Sequence, residues 1–379
     1  WPLVLVFVPT LFMVASFPLI TSIAFKDGKE GDAVGKVYFF NVLGNVTGGL
    51  ITGLILLNVL GTEYSILFLS FIGLVFIYFV ESERKLFRRN GKLLMVFSLI
   101  LFAVFFFPKR YQLYNVIHPE VHFAKDERKI INEGLDGVVV TYSEGEKLTT
   151  YINGMSHGGR PISLFYYEAI EALSYNKEVK DVLIIGFGTG STLETILKLN
   201  PKPKVDLVEL NKTLIENLNH IDYLNGFLND AAVNLMYADG RKYLYNTEKK
   251  YDAIFIDPLR TSTSFSNNLY SKQFFELINQ HLNPGGVFMV WMDEHHVVPK
   301  TVSSVFSFVN QYSFFCVASN RQLKEDESYK STLIKQFPNC EEELVKINKR
   351  ESHPFDKPNI LSNNAGFPIN EDYRPKCEY

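Results

Sequence analysis

The chain has 379 residues, 47% hydrophobic and 21% charged, with a formal net charge of -3. That length exceeds the usual size of one domain, so two or more units are expected. The charge balance excludes the basic surface of a nucleic-acid partner, and Cys316, Cys340 and Cys377 show no metal or redox spacing and read as free thiols.

Four apolar segments lead the chain: Trp1 to Phe25, Val37 to Thr62, Tyr64 to Val80 and Leu93 to Phe107. The first three approach the ~17–25 residues a helix needs to cross the hydrocarbon layer. The fourth spans only if Lys92 and Lys109 snorkel to the interfaces. A cleavable signal peptide is disfavoured, because the first segment has no basic start and further apolar segments follow. With no Met at position 1, the protein is expected to begin earlier, with room for more spans. Gly44, Gly48, Gly49 and Gly53 form two small-xxx-small pairs, and Asn41 and Asn45 lie one turn apart. Close packing within a helical bundle is expected there. A transport path is the alternative, but no Asp, Glu, Lys or Arg lies inside a span to mark one.

Residues 108 to 125 read as a juxtamembrane linker, basic at the start and without period. Residues 126 to 160 contain "GVVVTYSEGEKLTTYINGMSHGG", short alternating runs broken by Glu-Gly and Asn-Gly, which predicts a small antiparallel hairpin unit. From 161 to 379 the pattern becomes helix and strand in alternation. "ISLFYYEAIEALSYN" predicts a helix, "KDVLIIGFG" a strand, "STLETILKL" a helix, "KVDLVELN" a strand and "TLIENLNHI" a helix. "VNLMYADG", "YDAIFIDP" and "GGVFMVWM" continue as strands, with "RKYLYN" and "YSKQFFELINQHL" as helices. After Asn320 only some helix near 328 to 347 is predicted. The fold class is therefore an α-helical transmembrane bundle followed by an α/β, Rossmann-like doubly wound, mostly parallel sheet with a small N-terminal β-hairpin unit.

Gly186-Phe187-Gly188-Thr189-Gly190 falls between a predicted strand and a predicted helix, where glycines permit a tight turn and close approach of backbone to a ligand. Glu209 ends the next strand, roughly 20 residues on, where an acid can hold the two hydroxyls of a ribose. Asp239-Gly240 ends the third strand, where a carboxylate can meet an adenine amine, and Asp257-Pro258 ends the fourth. These groups line the carboxyl edge of the sheet, where open α/β sheets bind ligands. An adenosine ligand without a second phosphate motif leaves a nicotinamide dinucleotide or a sulfonium nucleoside, and the later strand ends favour the second.

"GFGTG", "VELN", "ADGRKYL", "YDAIFIDP", "NNLYSKQFFELINQHLNPGGVFMVW" and "INEDYRPKCEY" together resemble the spermidine synthase family, and most its membrane-fused branch, to which "VGKVYFFNVLGNVTGGLITGLILL" is also similar. The resemblance implies transfer of an aminopropyl group from decarboxylated S-adenosylmethionine to an amine, with no metal. It implies that Gly186, Gly188, Gly190 and Gly240 shape the nucleoside site, that Glu209 holds the ribose and Asp239 the adenine, and that Asp257 is the catalytic acid. Tyr167, Glu168, Arg260, Tyr270 and Asp372 are the expected substrate contacts. An alkylamine with a pKa near about 10.4 arrives protonated, so a carboxylate that accepts its proton is required. Soluble synthases carry Asp-Ser-Ser-Asp-Pro where this chain has Asp257-Pro258-Leu259-Arg260, one acid and then a cation. Tyr-Gln-Glu becomes Tyr166-Tyr167-Glu168, and the Gln behind the hairpin is replaced by Ser156. Arg260 either meets substrate or pairs with Glu371 or Asp372. His295 and His296 beside Asp293 do not make a metal site, since adjacent His residues diverge on most backbones, and His157 reads as a turn histidine or a proton acceptor.

With four spans, Lys26, Lys29, Lys36, Arg84, Lys85, Arg88, Arg89 and Lys92 share one side, which places the enzyme-like domain outside the cytoplasm. Sulfonium nucleosides are cytosolic, which argues the reverse, so the side stays open for an integral, multi-pass membrane protein. Expected partners are a small amine or membrane-associated substrate, the lipid bilayer, and a membrane-protein partner or second copy. Two rival functions remain: an S-adenosylmethionine-dependent methyltransferase using the same pocket, and a non-catalytic synthase-like assembly module.

Overall fold

The computed structural model describes residues 30–84, 128–134, 136–145, 147–258 and 260–377, with isolated positions between 7 and 21 and at 97. Most of the first expected span, nearly all of the fourth and the linker at 108–125 lie outside the described residues. The chain divides into two compact units, residues 1–116 with 133–135, and residues 117–132 with 136–379.

In the first unit, helix α1 (Glu30–Ile51) continues through a π turn (Thr52–Leu56) into α2 (Leu57–Arg84). Val34–Gly73 is long and apolar enough to cross a membrane. Gly61, with φ of 71° and ψ of 178°, leaves helical geometry between the segments expected as second and third spans. A glycine takes that conformation without the clash a Cβ would bring. Tyr38, Phe40, Val46, Leu50, Leu54 and Val59 are exposed, an apolar surface with few neighbours. The close packing expected of the glycines is not found among the described residues, since a Cβ added at Gly44, Gly48, Gly49 or Gly53 would meet nothing within 4 Å.

Residues 128–160 form a four-stranded sheet in the order β1 (Arg128–Gly134), β2 (Gly137–Glu144), β3 (Lys147–Ile152), β4 (Met155–Arg160), with β2, β3 and β4 paired antiparallel. The hairpin read from Asn153-Gly154 is present, and both residues have positive φ, 49° and 83°. Two strands that precede that hairpin extend the unit beyond it, β2 pairing antiparallel with β3 and β1 lying next to β2.

The remaining chain forms α3 (Ser163–Ser174), β5 (Asp181–Ile185), α4 (Ser191–Leu197), β6 (Lys204–Glu209), α5 (Lys212–Leu218), α6 (Asp222–Leu228), β7 (Val233–Tyr237) and α7 (Gly240–Asn246). It continues through β8 (Tyr251–Ile256), α8 (Asn267–Tyr270), α9 (Lys272–Gln280), β9 (Leu282–Trp291), α10 (Val297–Val305), β10 (Phe308–Gln311) and β11 (Phe315–Ser319). Then come α11 (Glu327–Ile334), α12 (Glu341–Arg350), β12 (Phe355–Asp356) and α13 (Lys357–Asn363). The strands lie in the order β12-β10-β11-β9-β8-β5-β6-β7. The five from β9 to β7 are parallel, and β9-β11-β10-β12 are antiparallel. The sheet is thus mixed: the parallel half follows the βα alternation, and the antiparallel strands come from residues 308–356, which the pattern did not assign.

Both faces of the sheet are apolar, as parallel strands between two helical layers require. Val182, Ile184, Ala253 and Phe255 face one core, while Leu183, Ile185, Ile254 and Ile256 face the other. The sequence alternates by side but not by polarity, which is why the strands read as continuous apolar runs. The helix expected at 328–347 is two, α11 capped by Asp326 and α12 beginning at Glu341, with Pro338 between them.

One polar exception sits inside this sheet. Asp206 on β6 accepts from Tyr251 Oη at 2.8 Å, Tyr243 Oη at 3.2 Å, Lys249 Nζ at 2.9 Å and Asn234 Nδ2 at 2.8 Å. Burial acts to raise its pKa, but the bonds from Lys249, Asn234 and Tyr251 hold it below the ordinary value. A depressed carboxylate contributes stability above its unfolded pKa of about 4 and loses it as pH falls through the folded value. Asp206→Ala is expected to destabilise the protein by about 1–3 kcal/mol near neutral pH. The difference from the parent, measured by denaturant unfolding, should shrink below about pH 4.

Candidate functional site

The site is built where β5, β6 and β8 end side by side. Gly186, Gly188 and Gly190 carry φ of 89°, 56° and 80°, so the chain turns three times through the left-handed region that side chains avoid. Gly186 N donates to Val208 O at 2.9 Å, and Gly190 N to Phe187 O at 2.9 Å, before α4 begins. A Cβ at Gly188 would stand 2.7 Å from Asp257 Oδ2, and one at Gly186 would stand 2.8 Å from Asp257 O. The turn and the carboxylate of Asp257 therefore touch directly, and the glycines are required by that contact as much as by the turn.

Glu209 closes the turn from the other side. Its Oε2 accepts from Phe187 N at 2.7 Å and its Oε1 from Asn211 N at 2.7 Å. Burial raises its pKa, opposed by backbone bonds from Phe187, Asn211 and Leu210. Asp239 Oδ1 accepts from Lys242 N at 2.8 Å and caps α7. Gly240 lets that helix approach β5, since a Cβ would meet Ile185 Cγ2 at 2.3 Å. Arg160, unremarked in the sequence, supports the turn from β4: it donates to the Thr189 carbonyl at 3.3 Å and is bound by Glu194 and Tyr166.

Asp257 is pushed up to about 6 by burial and by the charge of Glu209. Glu168, on α3, is 2% exposed, and its Oε1 has no hydrogen-bond donor among the described residues. Burial and then the charge of Asp257 push its pKa well above the ordinary carboxylate range. Tyr270 is wholly buried and donates to Trp291 O at 3.2 Å. Its pKa is raised by burial, and the charges of Asp293, Asp257 and Glu168 all bear on it. Asp293, at the end of β9, accepts from Thr261 N at 3.0 Å and Thr261 Oγ1 at 2.7 Å. The charges of three carboxylates, one on α3 and two just past the ends of β8 and β9, thus act on one tyrosine, and among the described residues none of the three is in an ion pair. Asp293 was weighed in the sequence only as a metal ligand. The signal that could have found it is its position one residue past "VFMVWM", the fifth strand end in the series.

Other expected contacts lie elsewhere. The Tyr167 hydroxyl donates to Asn348 Oδ1 at 3.1 Å, and its wholly buried ring packs edge-on against Phe315, so the core takes it up. Asp372 is held by both guanidinium nitrogens of Arg241, not by Arg260, because the tail is pinned beside α7 and α9. Arg260 is exposed, and burial together with its charge lowers the pKa of His157. His296 stacks on Phe367 and bonds Asn364, whereas His295 packs edge-on against Phe314, so the two rings diverge. Among the described residues no three His, Cys, Asp or Glu cluster as metal ligands.

A mixed sheet whose parallel half carries a glycine turn after its first strand and acids at the next strand ends defines the Rossmann-like class of fold. Residues 164–322 match the family model of the spermine/spermidine synthase domain. That stretch of the chain is spermidine synthase-like. It is similar to a polyamine aminopropyltransferase of Saccharolobus solfataricus, 33% identical over 153 residues, or 37% of this chain and 50% of the relative. It is also similar to polyamine aminopropyltransferase 2 of Pseudomonas aeruginosa, 32% identical over 160 residues, or 39% of this chain and 46% of the relative. The chain spans about half the length of these curated relatives. A probable spermidine synthase from Corynebacterium glutamicum shares the fold, with a TM-score of 0.50 at 14% identity, over 65% of this chain and 96% of that one.

Gly188→Ala should force the Asp257 carboxylate aside and strain the backbone, costing about 1–2 kcal/mol. A lowered Tm, with Asp257 titrating away from about 6 in a carboxylate-resolved NMR titration, is the expected result.

Proposed function

We propose that the protein is an aminopropyltransferase, moving an aminopropyl group from decarboxylated S-adenosylmethionine to an amine, and that its apolar helical segment anchors it to a membrane. The observation that carries the first part is the pair of acids Asp257 and Glu168, whose charges bear on Tyr270 and for which no cation partner is found among the described residues. Buried carboxylates without cations are costly unless a cation is bound in use, and a protonated amine is such a cation. The matched domain and the aminopropyltransferase relatives support the same reading.

In this reading Gly186, Gly188 and Gly190 admit the nucleoside, Glu209 holds the ribose hydroxyls, and Asp239 holds the adenine amine. Asp257 accepts a proton from the acceptor ammonium. The freed nitrogen lone pair attacks the methylene carbon bound to the sulfonium, the C–S bond breaks, and its electron pair stays on sulfur in neutral methylthioadenosine. Asp257 is suited to this step because burial and Glu209 have brought its pKa to about 6, near the operating pH. Methyl transfer by positioning alone has no use for two acids without a cation partner, and that disfavours the methyltransferase. Anchoring is supported by the length and apolar exposure of Val34–Gly73, and it suits a membrane-delivered amine.

Calorimetric titration in detergent is expected to show tighter binding of decarboxylated S-adenosylmethionine than of the intact form, lost in Asp239→Ala. No binding of either, or of methylthioadenosine, would sink the transferase reading. Asp257→Asn should keep nucleoside binding and lower the transfer rate by ~10²–10⁴. Transfer by the parent should rise with pH through about 6, as Asp257 ionises, and level off above it.

A further inference from the structure

Glu168 is the group in the molecule whose surroundings least suit its ionised form. Its side chain is 2% exposed, and among the described residues Oε1 meets no donor. The cations packed on the same helix are committed elsewhere. Lys330 of α11 binds Glu171 at 2.7 Å and also Glu325, and Arg160 binds Glu194 of α4. From α12, Glu343 is occupied by Ser163 Oγ. What bears on Glu168 is negative, Asp257 from the end of β8, and it in turn bears on Tyr270 of α8. An ionised carboxylate oxygen buried with no donor carries its full desolvation penalty, which a proton removes.

We propose that Glu168 is a neutral carboxylic acid in the free enzyme and gives up its proton when the acceptor amine enters, becoming the counter-ion of the bound ammonium. This rests on the amine-acceptor reading above. The exchange balances as carboxylic acid plus free ammonium giving carboxylate paired with ammonium plus one proton to bulk water. An opposite charge within about 4–6 Å favours the ionised carboxylate, so the ammonium supplies what the resting site lacks. The consequence is selection by charge: the pocket favours cations over neutral molecules of the same shape, and amine binding tightens as pH rises.

The test is calorimetric titration of the full chain in detergent, loaded with methylthioadenosine, with butylamine or 1,4-diaminobutane at pH 7 in phosphate and in Tris. These buffers differ in ionisation enthalpy, so the difference in heat counts protons. Release of about one proton per amine is expected from the parent, and none from Glu168→Gln, which keeps nucleoside binding but holds amine about tenfold more weakly. If the Gln variant does not fold, Glu168→Asp, which retains a carboxyl, should still release a proton. Equal heats in both buffers for the parent, or undiminished release from Glu168→Gln, would overturn the proposal while leaving the transferase reading intact. Failure of either amine to bind the nucleoside-loaded parent would remove both.

Discussion

The contact between the glycine turn and the two carboxylates that flank it is the constraint on which the rest of the site depends. Glu209 ties Phe187 N to Asn211 N, and Asp257 lies against Gly188 on the other side. The turn cannot hold its three positive φ angles around larger residues, and Asp257 cannot approach unless position 188 lacks a Cβ. One short segment thereby sets the distance between the ends of β5, β6 and β8, and with it the electrostatics of the cleft.

That spacing has a price in the charged state of its acids. Asp257 feels Glu209 and Glu168 feels Asp257, so the ionisation of each opposes that of the next. Burial acts in the same direction, and the result is a group of carboxyls that hold their protons more tightly than exposed acids do. Elsewhere the fold treats buried charge differently: Glu171 is met by Lys330 and Tyr312, and Asp206 by Lys249 and two tyrosines. The contrast between paired structural acids and unpaired cleft acids is what separates scaffold from site in this molecule.

Support for the cleft comes from three directions. Arg160 of the small sheet holds the Thr189 carbonyl, and α3 carries Glu168 inward while Tyr167 beside it turns into the core. The tail is fixed by Asn370, wholly buried, whose amide donates to Tyr270 O at 3.0 Å and whose Oδ1 accepts from Lys376 N at 2.7 Å. Tyr270 is therefore positioned by residues a hundred positions away, a dependence that no local reading of the chain can show.

The local patterns determined what local physics controls. Apolar runs alternating with amphipathic helices specify a parallel sheet, glycines between strand and helix specify a turn that admits a ligand, and acids at strand ends fall on one edge because parallel strands end together. The apolar runs Val37 to Thr62 and Tyr64 to Val80 read as two separate spans, whereas the structure gives one helix over Val34–Gly73 long and apolar enough to cross a bilayer. Side-chain direction was not legible: Tyr167 and Glu168 are neighbours, yet one is taken by the core and the other faces Asp257. Nor was the choice among partners, since Asp372 could pair with Arg241 or Arg260 and only the packing of the tail against α7 and α9 decides for Arg241. Sequence order by itself determined which chemical groups reach the carboxyl edge. The tertiary structure alone decided which of them stay without a counter-charge, because burial and pairing depend on residues distant along the chain and close in space.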